Sequence, residues 1–73
     1  MTKHGDKKAE RRRVAEGRRA DLQAAEQRMR ELVRARQREK TEVGAEQIDR
    51  LIEQQKPVIQ RAQAAYDQVK GDL

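Results

Sequence analysis

Lys7-Lys8, Arg11-Arg12-Arg13 and Arg18-Arg19 are the side chains of this chain best equipped for chemistry. What they offer is anion binding. Arg presents a planar, bidentate fork that stays charged at every physiological pH, and clustered Arg and Lys are what a phosphate backbone selects. Catalysis has almost no comparable material. The one His is His4, Ser and Cys are absent, and Thr2, Thr41 and Tyr66 have no neighbouring base to activate them. The carboxylates read more simply as helix-surface partners of bases than as an acid–base pair. A lone His without Cys makes no metal site. The expectation is a binder and not an enzyme, with no catalytic residue, metal, cofactor or small-molecule substrate.

The charge is lopsided. Residues 1–40 hold fourteen Lys or Arg against seven Asp or Glu, whereas residues 41–73 hold four against six. A surface of that kind fits DNA or RNA, and it also fits an acidic protein surface, because electrostatic complementarity serves both. The candidate nucleic-acid contacts are Lys7, Lys8, Arg11, Arg12, Arg13, Arg18 and Arg19. Acids are interleaved: Glu10 lies within a turn of Arg13, Glu16 of Arg12, Arg13 and Arg19, Glu26 of Arg30, and Glu31 of Arg28 and Arg34, spacings that support an exposed helix. The run from Lys7 to Arg19 resembles the arginine-rich helices with which phage antiterminators grip RNA hairpins. A basic stretch followed by a heptad-like seam also resembles basic-leucine-zipper proteins, although those read bases with an Asn in the basic region and this chain has none. No aromatic residue is interleaved with the basic run, which argues against a stacking platform for single strands. A membrane-surface role is disfavoured by the weak apolar face of the basic run and by the lack of Trp and Phe. No stretch reaches the ~20 apolar residues of a membrane span, and no signal peptide or Cys is found, so a cytoplasmic location is expected.

Positioning these cations falls to helices. Ala, Glu, Gln, Lys and Arg dominate, all good helix formers, and a composition of that kind with helical periodicity reads as long helices or coiled coil. From residue 45 onward Ile48, Ile52, Gln55, Ile59, Ala62, Tyr66, Val69 and Leu73 recur at alternating steps of four and three, with Leu51, Val58 and Ala65 widening the stripe. Pro57 interrupts this helix but not the phase of its stripe, so a kink is expected there rather than a break. The first half carries a weaker face of Leu22, Ala25, Met29, Leu32 and Val33, extended poorly by Val14, Arg18 and Arg36. Between them Thr41-Glu42-Val43-Gly44 reads as a turn, with Gly44 just beyond a helix C-terminus.

The resulting fold class is all-α: a two-helix antiparallel hairpin, coiled-coil-like, with a flexible tail at 1–6, a helix over 7–41, a turn at 42–44 and a helix over 45–71 kinked at Pro57. Folding at the turn sets Leu32 and Val33 against Leu51 and Ile52, Met29 against Val58 and Ile59, and Arg18 near Tyr66 as a cation–π pair. The interface is expected from Leu22, Met29, Leu32, Val33, Ile48, Leu51, Ile52, Val58, Ile59, Tyr66 and Val69. So little apolar surface predicts a homo-oligomer, a dimer closing into a four-helix bundle, or docking on a larger complex. Residues 7–19, with Val14 as their only large apolar side chain, are expected to fray when free. Gln55, polar within the stripe, is a candidate for setting register.

Overall fold

The computed structural model of this chain describes residues 3–71, with side chains from Lys7 onward. Two helices, α1 (Lys3–Arg38) and α2 (Glu42–Gly71), pack against each other in a rod 62 Å long and 16 by 12 Å across. Neither helix is long and apolar enough to cross a membrane. Met1, Thr2, Asp72 and Leu73 lie outside the described residues, and with them the first two residues of the predicted tail and the last position of the predicted stripe. Within that tail, α1 already begins at Lys3.

The connection falls earlier than the sequence predicts, at Glu39-Lys40-Thr41 instead of 42–44. Thr41 is the reason. Its hydroxyl accepts the Gly44 amide hydrogen at 3.1 Å, and its carbonyl accepts that of Ala45 at 2.9 Å, which makes it the N-cap of α2. The Glu39 carboxylate completes the loop by accepting from the Lys40 amide at 3.1 Å, the Thr41 amide at 3.0 Å and the Thr41 hydroxyl at 2.9 Å. Arg36 and Arg38 end α1 and Glu42 opens α2, each on the side its helix dipole favours. Gly44 therefore sits inside the first turn of α2 and does not terminate α1. No glycine among the described residues has a positive φ. Its lack of a side chain matters for space: a Cβ there would run into the Glu39 carboxylate.

Those hydrogen bonds hold Glu39 below the ordinary glutamate pKa of 4.5: the Thr41 amide first, then the Thr41 hydroxyl, outweighing a desolvation that acts the other way, with the Lys40 amide and the Arg36 charge adding to them. A carboxyl whose folded pKa is depressed stabilises fully above its unfolded pKa and loses that contribution as pH falls through the folded value. Glu39→Gln should therefore melt below the wild type at neutral pH, and the gap should narrow as the pH falls below the ordinary glutamate value. A gap that is constant over this range in thermal melts would remove Glu39 from the account of the loop.

Along the seam, α1 buries Ala15, Leu22, Ala25 and Leu32, the two leucines 7 % and 5 % exposed, and α2 buries Ala45. Met29, Ile48, Ile52, Gln55, Ile59, Ala62, Ala65, Tyr66 and Val69 are half-buried. Ala15, Leu22 and Met29 are seven residues apart, and Ala25 and Leu32 follow the last two by three residues each, the a/d pattern of a coiled coil. Val14, expected on this face, is exposed, because one residue turns a side chain 100° around the helix and Ala15 takes the place. Val33, Leu51 and Val58 also lie outside the seam, the last two 42 % and 44 % exposed.

Gln55 fixes the register. Its side-chain amide donates to the Ala25 carbonyl at 2.8 Å in a partly buried position, and the small Ala25 side chain leaves the backbone within reach. At the other end of the seam Arg36 Nε donates to Asp49 at 2.9 Å. Equal rise along two antiparallel helices then brings Met29 level with Leu51 and Ile52. The Met29 pairing expected from sequence, with Val58 and Ile59, is displaced by about two helical turns.

Candidate nucleic-acid interface

Lys7, Lys8, Arg11, Arg12, Arg13, Arg18 and Arg19 all lie on the N-terminal half of α1, and all are exposed. α1 runs through this segment without interruption, and Ala15 is buried at its centre. Seven bases and two acids between 7 and 19 leave +5, the net charge of the whole chain. Elsewhere acids and bases cancel. The rod is thus balanced over most of its length and basic at the open end, away from the loop.

The interleaved acids do not neutralise this end by direct pairing. Among the described residues the ion pairs within 4.0 Å are Arg28–Glu31, Arg36–Asp49 and Lys56–Glu53, and none draws on residues 7–19. Arg30, expected to pair with Glu26, instead donates to the Gln27 side chain at 2.7 and 3.2 Å. No ion pair to a described residue occupies the guanidinium donors of the basic segment.

Helical spacing arranges the cations in two adjoining rows, Lys7-Arg11-Val14-Arg18 and Lys8-Arg12-Ala15-Arg19, each advancing by four, three and four residues. The rows flank the end of α2. Lys7, Glu10, Arg11 and Val14 line a groove of about 470 Å³ with Val69. On the other row Arg12, Ala15, Glu16 and Arg19 line a groove of about 190 Å³ with Tyr66. Arg18, expected beside Tyr66, lines a third groove with Val14, Gly17 and Asp21. The arginines that share a groove with Tyr66 are Arg12 and Arg19.

Tyr66 is the residue whose placement sequence reasoning missed. No aromatic interrupts the basic run in sequence, but the hairpin brings the only aromatic ring of the chain in beside it from α2. Ala15 was missed as well. Counting back seven from Leu22 finds it, but Ala gives almost no hydropathy signal. No protein family, curated protein or solved structure matches this chain, so its functional reading rests on the geometry of this end of the hairpin.

Proposed function

We propose that this chain is a small, non-catalytic nucleic-acid-binding protein that holds phosphates at the open end of its hairpin and self-associates through α2. One observation carries the reading: the entire net charge is concentrated in 7–19, on exposed side chains without ion-pair partners among the described residues. Lys7, Lys8, Arg11, Arg12, Arg13, Arg18 and Arg19 supply the phosphate contacts. Such contacts are sequence-independent and release counterions, so affinity falls steeply with salt. The test is fluorescence anisotropy with labelled DNA duplexes and RNA hairpins between about 50 and 200 mM salt, where each contact on duplex DNA adds roughly 0.9 to the slope of log affinity against log salt. Absence of binding to either at the lower salt rejects the reading, and an acidic protein surface then becomes the partner to seek.

Self-association is supported by the surface left over. The lone hairpin exposes 6225 Å², about a third more than the ~4,700 Å² of a compact monomer of its 8.5 kDa mass. Leu51, Val58 and Ala65, spaced by seven, form a line on α2 beside the seam, and Leu51 and Val58 are exposed. Packing that line against a second hairpin gives a four-helix bundle. Light scattering at tens of micromolar should report a dimer or larger; a monomer independent of concentration rejects this part.

α2 passes through Pro57 as one helix, and Pro57 faces solvent. The missing amide hydrogen leaves the Glu53 carbonyl without its helical donor, and water can reach it there. A bend at this point, convex toward solvent, lets α2 wrap around its partner helices. Pro57→Ala should raise helicity and melting temperature by circular dichroism. A lowered melting temperature would show that the bend contributes more to packing than it costs in hydrogen bonding.

A further inference from the structure

The groove at Tyr66 differs in kind from the other two. Arg12 and Arg19 stand two turns apart on one row of α1, about 10.5 Å along the axis. Ala15, between them, is buried and small, which leaves room for a ring, and Tyr66 of α2 is only half-buried. Glu16 lines the same groove, but it forms no ion pair within 4.0 Å with either arginine among the described residues, so both guanidinium groups keep their donors. The larger groove at Val69 offers cations and aliphatic carbon but no flat ring.

We infer that the Arg12–Arg19–Tyr66 groove takes one unpaired nucleotide of a single-stranded nucleic acid, its base stacked on Tyr66 and its flanking phosphates on the two arginines. The inference deepens the nucleic-acid reading and rests on it. At about 190 Å³ the groove is smaller than the roughly 300 Å³ at which small-molecule pockets begin. It suits a single flat group entering from solvent while its chain continues outside. The half-buried ring lines the groove beside α1, and in a duplex the base faces are already stacked on one another. An unpaired or extruded base is therefore what can reach it, and stacking on aromatic rings between cations is how single strands are held.

The chain itself provides the reporter. Tyr66 is its only aromatic residue, with no Trp or Phe, so intrinsic emission reads this site alone. A single-stranded RNA or DNA ten-mer should quench Tyr66 on saturation, whereas a duplex of equal length and inorganic polyphosphate should bind with little quenching. Tyr66→Leu, which keeps an apolar side chain in the seam, should lose single-strand affinity on the order of ten-fold. Its duplex affinity and salt slope should stay unchanged. Arg12→Gln with Arg19→Gln should erase the preference for single strands, and Arg11→Gln with Arg13→Gln, which removes the same charge, should not. Unchanged Tyr66 emission at saturation, or equal quenching by polyphosphate, overturns the inference even if a variant fails to fold. So does a folded Tyr66→Leu protein that binds single strands as tightly as wild type; phosphate binding at the open end then still stands. If the wild type binds no nucleic acid at low salt, the parent reading falls and takes this inference with it.

Discussion

Replacing Arg11, Arg12 and Arg13 together with Gln should lower the slope of log affinity against log salt on duplex DNA by about 0.9 to 2.7, depending on whether one or all three contact phosphate. The range follows from their positions. Consecutive residues are 100° apart on a helix, so Arg11 and Arg12 fall on the two rows flanking α2, and Arg13 points away from the seam. A partner that lies across the open end meets the first two before the third. Affinity should fall for all sequences alike, because phosphate contacts carry no base information. Oligomeric state and melting temperature should hold, since all three side chains are exposed and none is in an ion pair among the described residues. The single variants then rank the contacts. An unchanged slope in the triple variant moves the binding surface away from this end of the hairpin.

Leu32→Ala should cost about 2–4 kcal/mol. Leu32 is the most deeply buried of the large side chains, 5 % exposed, and it sits near the loop, where the Arg36–Asp49 pair and the Glu39 hydrogen bonds already fix the geometry. The surroundings can collapse little, so most of the cavity persists. The loss is a large part of the few kcal/mol that a small domain possesses, and the variant should be largely unfolded near physiological temperature. Glu31→Ala, one residue away, removes only exposed contacts, the pair with Arg28 at 4.0 Å and a hydrogen bond accepted from the Gln27 amide at 3.4 Å, and should cost well under 1 kcal/mol. The two are compared by thermal melts at one fixed protein concentration, because association would raise both. Equal losses would mean that the seam does not hold the hairpin together.

Both predictions rest on features legible in the chain before any coordinates. The steps of four and three from Ile48 to Val69 gave an amphipathic helix, because side chains three and four apart must share a face. The weaker face from Leu22 to Leu32 gave its partner. Concentration of charge in 7–19 could be counted directly. Two antiparallel helices with a basic open end follow from local periodicity and composition, which act over a few residues at a time.

The tertiary structure decided what depends on register and on small or polar groups. The loop lies at 39–41 because the Thr41 hydroxyl takes up the Gly44 amide and the Glu39 carboxylate those of Lys40 and Thr41, hydrogen bonds that hydropathy does not record. Gly44, which reads in sequence as a helix stop, is needed so that Glu39 can lie against the first turn of α2. Ala15 replaced Val14 in the seam because the coil selects phase before hydrophobicity, and a one-residue error turns the whole face by 100°. Gln55 on the Ala25 carbonyl moved the partner of Met29 by about two turns. Tyr66 came to lie between Arg12 and Arg19, some fifty residues away along the chain, only because the helices are antiparallel in this register. Sequence determined the charges and the faces; the docking of one helix on the other determined which ring meets which cations, since that contact depends on a relative displacement no single helix encodes.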